Sequence, residues 1–158
     1  MSSEVKLPHL SEAGEAHMVD VSGKETTTRT ALAEAVVTLA PETADALFAG
    51  SLPKGDALAA IRLAGVMAGK KTAELIPLCH PLPIDALEVS VTRFEGGARI
   101  VAEVTTTART GVEMEAMTAA SVAALTLYDM VKGIERGVVI GPVRLLRKAG
   151  GRSGSWER

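Results

Sequence analysis

An α+β fold is what this sequence predicts, on three observations. Three stretches alternate apolar and polar residues with the period of two that marks strands, and two of them are separated only by Glu95, Gly96 and Gly97. Between and after them lie segments whose apolar residues recur every three or four positions, the period of helices. The chain is 158 residues long and 47% hydrophobic but only 3% aromatic, enough for one core, built from Ala, Val, Leu, Ile and Met. Its alanines imply helices lying close against a sheet or a second subunit.

In chain order, residues 1 to about 16 are polar and broken by Pro8 and Gly14, and are expected to form a flexible N-terminal arm, with 17–158 as a single domain. From Arg29 to Leu39 the residues Ala31, Ala33, Ala35, Val37 and Leu39 form one face of a strand. Pro41 opens a short helix that Gly50 closes. A second helix is expected from Asp56 to Lys70, with Leu58, Ile61, Ala64, Val66 and Met67 on its apolar side. The string GVMAGKKT inside it resembles a phosphate loop, but its glycine interval is one residue short and Lys71 stands where Ser or Thr belongs, so it is set aside.

The segment Glu74–Pro83, ELIPLCHPLP, is stiffened by Pro77, Pro81 and Pro83, which exclude both helix and paired strand. It forms an arch with Leu75, Ile76, Leu78 and Leu82 as apolar feet and His80 held as a titratable group. Ile84–Phe94 and Ala98–Thr107 then alternate as a hairpin around Gly96 and Gly97. Thr110 and Glu113 have capping-box spacing, which predicts a helix from there to Arg136, stopped by Gly137. One stripe of it carries Glu115, Thr118, Val122, Leu125, Asp129 and Lys132. The last strand is VVIGPVRLL, followed by the tail RKAGGRSGSWER, either a frayed basic end or a closure over an anion. Strand, two helices, hairpin, long helix and strand make a ferredoxin-like antiparallel sheet covered by helices on one face.

The charges, 17 basic against 19 acidic, leave a net of −2, and with so few aromatics nothing favours nucleic acid. One cysteine and three histidines give no metal-ligand spacing, so no metal and no cofactor are expected. No stretch has the apolar length of a signal peptide or a membrane span, and a cytoplasmic protein is expected. Lys54, in the turn before the second helix, lies where that helix's positive end would ease loss of its proton. Asp129 and Lys132 are helix neighbours, a spacing that serves a surface ion pair as well as a site. His80 fits both a turn histidine bonded to a carbonyl and a positioned acid–base group. Glu115 and Asp129 are fourteen positions apart, roughly 20 Å along one helix, so if both act on one small molecule the site is shared between two copies.

The segments HMVDVSGKETTTR (17–29), LPKGD, ELIPLCHPLP, TGVEMEAMTAASVAALTLYDM (110–130), VIGPVRLL and GGRSG together resemble the molybdenum cofactor biosynthesis protein C family, the cyclic pyranopterin monophosphate synthases. The likeness runs from about Gly14 onward. It implies a lyase that converts (8S)-3′,8-cyclo-7,8-dihydroguanosine 5′-triphosphate, made when a radical enzyme cyclises GTP, to cyclic pyranopterin monophosphate and diphosphate. It also implies a ferredoxin-like fold and a homohexamer built from dimers, with sites at the dimer interface. Carried over by position, the essential lysines fall on Lys54 and Lys132 and the active-site aspartate on Asp129. Substrate contacts fall on Leu78, Cys79 and His80, on Glu113, Met114 and Glu115, and on Lys24 and Arg29 toward the triphosphate. Lysines of lowered pKa and His80 would move the protons. Relatives often carry Lys at the positions of Arg109 and Arg152, where arginine retains phosphate binding but not proton transfer. Two hypotheses compete with the lyase: a carrier that binds nucleotide or pterin without turnover, and a purely structural oligomer.

Overall fold

In the computed structural model, which describes residues 14–158, the chain forms nine elements. These are β1 (Thr27–Thr38), α1 (Pro41–Phe48), α2 (Ala57–Lys70), α3 (Thr72–Leu75), β2 (Ala86–Phe94), β3 (Gly97–Ala108), α4 (Glu113–Val131), β4 (Val139–Ala149) and β5 (Trp156–Glu157). The strands make one antiparallel sheet in the order β2-β3-β1-β4-β5, with α2 and α4 packed on one face. Without β5 this is the ferredoxin-like order. Residues 1–13 of the expected N-terminal arm lie outside the described residues.

The central strand β1 pairs along its whole length with β3 and, across two register shifts, with β4. One shift lies opposite Gly141 and Pro142, where proline has no N–H to give to the ladder. The face of β1 read from the sequence is the buried one: Ala31, Ala33, Ala35, Val37 and Leu39 are at most 5% exposed. Gly97 begins β3 with φ +144, and a Cβ there would meet the Val37 carbonyl, so the hairpin needs a glycine where it passes β1.

The helices differ from expectation in three ways. The buried side of α2 is Ala57, Ile61, Gly65, Ala68 and Gly69, while Met67 is 52% exposed. Small residues prevail because α2 lies directly against α4. Gly65 is inside that helix, so its glycines serve packing and not phosphate binding. The predicted capping box is absent: the N-cap is Val112, two residues after Thr110, with no side-chain cap, and Glu113 turns to Lys148 at 3.1 Å. Finally, α4 ends at Val131, not at Arg136, and Lys132 is its C-cap. The face that packs is alanine, Ala116, Ala119, Ala120, Ala123 and Ala124 with Leu127 and Val131, whereas Leu125 of the predicted stripe is 59% exposed. Two elements escape the periodicities because they are so short: α3 and the two-residue β5, which pairs with Arg147 and Lys148.

Among the described residues the other sheet face carries no helix. Glu34, 2% exposed, is held there by Arg99 Nε at 2.5 Å and Arg144 Nε at 2.6 Å from the flanking strands. Burial by itself would raise its pKa, but the bonds from Arg144 and Arg99 outweigh burial and hold it below the ordinary 4.5. A shallow depression of about 370 Å³ beside it is lined by arginines whose bonds to Glu34, Glu103 and the Leu145 carbonyl are already made.

Two outcomes follow for stability. A Cβ on Gly65 would lie 3.0 Å from Val89 and 3.1 Å from the Ala119 carbonyl, so Gly65→Val overpacks the α2–α4 contact. It should lower stability by roughly 1–3 kcal/mol in urea unfolding. Since the folded pKa of Glu34 lies below 4.5, its contribution is complete above that pH and is lost as pH falls through the folded value. Glu34→Gln should therefore lower the urea midpoint at pH 7 and make the acid limb of the stability curve shallower.

Candidate active site

The proline arch is fixed at both feet. At its start Cys79 N donates to the Ile76 carbonyl at 3.1 Å. At its end Asp85 N donates to the Thr105 carbonyl at 2.9 Å, and the Thr106 hydroxyl donates to the Pro83 carbonyl. Of the predicted apolar feet, Leu82 packs against the core, but Leu75 is 56% exposed. It lies on α3, which holds the start of the arch instead.

The arch faces the first turn of α4 across a cavity of about 390 Å³. From the arch come Leu78, Cys79 and His80; from α4 come Glu113, Met114 and Glu115; Lys24 enters from the turn before β1. Lys24 also belongs to an adjoining cavity of about 790 Å³, with Thr27, Arg29, Gly151, Arg152 and Ser153, where three cations face the single carboxylate of Glu25. All eight positions to which substrate contacts were carried therefore line two neighbouring cavities that share Lys24, together termed the cleft. The cleft has a cationic end and an end bearing the arch histidine and two carboxylates.

At the cationic end Arg29 is anchored by its own strand ladder: Nε donates to the Ala108 carbonyl at 3.1 Å and Nη2 to that of Arg109 at 3.3 Å. The loop between β4 and β5 passes over it. Gly151, at φ +72, has a backbone conformation that favours glycine, and an added Cβ would displace the Arg29 guanidinium. The basic segment thus lies against Arg29 and lines the same cavity. At the other end Glu115 is 4% exposed, and burial, with the charge of Glu113 adding to it, pushes its carboxyl pKa up. Burial and then Glu115 raise the Cys79 thiol too, which suits packing better than nucleophilic attack.

The remaining predicted residues form a second cluster at the far end of α4. Lys54 Nζ contacts Asp129 Oδ2 at 2.9 Å and its carbonyl at 2.6 Å, and Lys132 Nζ contacts Asp129 Oδ1 at 2.7 Å. Asp129 is held at about 2 by the bond from Lys132 and then that from Lys54. Lys132 is raised by Asp129, which corrects the expectation of a lysine with lowered pKa. Within one chain, therefore, this cluster and the His80–Glu115 cleft are separate, roughly 20 Å apart along α4. Sequence reasoning did not single out Lys148 as a partner of Glu113, nor Thr27 and Ser153 as part of the cationic wall. The glycines beside Ser153 were the one signal for it.

Among the described residues no group of three or more His, Cys, Asp or Glu is placed to hold a metal ion, and no helix is long and apolar enough to cross a membrane. The profile of the MoaC family matches residues 18–151. A Thermomicrobium roseum protein named cyclic pyranopterin monophosphate synthase is 54% identical over 155 residues, covering 97% of this chain and 93% of its own. Proteins of that name from Corynebacterium glutamicum (strain R) and Streptomyces coelicolor are each 52% identical. Those alignments cover 96% and 97% of this chain, and 97% and 90% of theirs.

Asp129→Asn removes the partner that holds both lysines. The Lys132 pKa should then fall back toward 10.5 in an NMR titration of the lysine side chains, with the fold unchanged.

Proposed function

This chain belongs to the MoaC family, and from that premise we propose that it is a lyase of molybdenum cofactor biosynthesis. It converts (8S)-3′,8-cyclo-7,8-dihydroguanosine 5′-triphosphate to cyclic pyranopterin monophosphate and diphosphate. The observation that carries the proposal is the cleft itself. One end offers Lys24, Arg29 and Arg152 to a polyphosphate, and the other sets His80 and a buried carboxyl around a cavity of heterocycle size.

The chemistry fits these groups. Closing the cyclic phosphate requires a ribose-derived hydroxyl to attack the α-phosphate as diphosphate leaves, and fixed cations stabilise the charge that develops. Rearranging the cyclised purine into a pterin needs repeated proton transfers, for which His80 and Glu115 stand on the substrate side of the cleft. Lys54, Asp129 and Lys132 act as one unit: Asp129 orients both ammonium groups, and Lys132, its pKa raised, serves as a proton donor or electrostatic stabiliser rather than as a free base. A carrier that binds without turnover would have no use for that triad.

The separation of triad and cleft in one chain supports a site completed by a second copy. The triad of one subunit would then stand at the cleft of its dimer partner, with dimers assembling into a hexamer in the cytoplasm. Two-fold symmetry makes this testable by mixing. Purified native chain should release diphosphate from the cyclised nucleotide, while His80→Ala, Lys54→Ala and Lys132→Ala lose nearly all turnover. Refolding His80→Ala together with Lys132→Ala should then restore about one quarter of native activity, because random pairing gives half heterodimers, each with one intact site. No recovery on mixing would place triad and cleft in the same chain's site. Binding without diphosphate release would establish the carrier.

A further inference from the structure

Glu115 belongs to the walls of two cavities. The first is the cleft with Lys24, Cys79 and His80. The second, of about 120 Å³, lies behind the arch between α2, α3 and Ile84, and is lined by Lys70, Thr72, Ala73, Glu74 and Pro81. Leu82 is the other residue common to both, so Glu115 and Leu82 form the partition. The rear cavity has room for roughly four waters at ~30 Å³ each, and its wall is polar enough to hold them. The Thr72 hydroxyl donates to the Gly69 carbonyl at 2.9 Å, which leaves its lone pairs for a water.

At 4% exposure Glu115 has little other access to solvent. A substrate seated in the cleft would cover its front and leave a used carboxyl with no route by which to recover its proton. We infer that the rear cavity is a solvent port for Glu115, through which the carboxyl regains a proton given to substrate, or sheds one taken, while the cleft is occupied. This rests on the lyase proposal. In the donating direction the Glu115 carboxyl passes H⁺ to a substrate atom and becomes a carboxylate. A proton from bulk then moves along the rear waters to that carboxylate, so one proton travels from solvent to substrate and no electrons are exchanged.

The surrounding charges suit such a group. Glu113, Cys79, His80 and Lys24 share the cleft-side cavity with it, and Lys70 and Glu74 the rear one. Burial, then the charge of Glu113, push its pKa up, which favours the protonated form as a donor.

The test fills the port without touching the cleft. Ala73→Leu from α3 and Ile84→Phe from the opposite wall are assayed on the cyclised nucleotide after unfolding curves confirm that each folds; two variants guard against failure of one. Both should keep KM within about twofold and lose roughly tenfold or more in kcat. They should also show a larger solvent deuterium isotope effect and recover part of the rate in formate buffer, whose small acid can deliver the proton. In a Glu115→Gln background neither filling substitution should lower the residual rate further. Native kcat in both folded variants would overturn the port, as would a loss that persists undiminished in the Glu115→Gln background. A native chain without turnover overturns the lyase proposal as well, and that arm is read first.

Discussion

The approach of α2 and α4 to each other and to the sheet is the constraint on which the rest of the structure depends. It is set by residues with almost no side chain: the alanines of α4, Gly65 and Gly69 of α2, and the alanines of β1 and β3. A core of this kind gains little per residue from burial and much from the closeness of backbones, since dispersion falls steeply with a gap of even half an ångström. It also tolerates little growth, because the nearest atoms to any added methyl group are partly main-chain carbonyls. The result is a rigid α4 that serves as a rod between two chemical groups.

Both groups take their positions from that rod. The first turn of α4 presents Glu113, Met114 and Glu115 to the proline arch, and its last turn presents Asp129 between two lysines. The arch needs no secondary structure of its own, because prolines limit its conformations and hydrogen bonds from β3 tie down its end. The uncovered sheet face has a different solution. There a buried carboxylate sits between two guanidiniums, which satisfies its charge on a face rich in arginine.

Much of this was legible in the sequence. Period-two alternation located β1, β2 and β3 within two residues at every end, and identified the inward face of β1 correctly. Pro41 and Asp56 marked helix starts, Asp56 as the N-cap whose side chain accepts from Ala59 N at 3.0 Å. What failed did so for definable reasons. The Thr110 and Glu113 spacing is that of a capping box, but a tertiary partner, Lys148, competes for the glutamate. Helix periodicity selected large apolar residues in α2 and α4, whereas the contacts that bury area here run through Ala and Gly, which carry little weight in such patterns. The clustering of the site residues was not visible at all in the periodicities. It depends on the fold bringing residues near positions 24, 80, 114 and 152 together, and the resemblance located those positions without giving the geometry.

The loop that carries Arg152 is not a tail but the bend of a hairpin, since β5 returns to pair with Arg147 and Lys148 and Arg158 reaches back to the Leu146 and Leu145 carbonyls. A free basic terminus that captured an anion would lose roughly 1–2 kcal/mol of backbone entropy for each residue it immobilised. Here pairing of β5 with β4 holds the bend as part of the fold, so an anion bound there would meet a preorganised loop. The last few residues of the chain thereby fix where Arg152 sits, and a change of length between β4 and β5 alters that wall of the cavity as directly as a change in its lining.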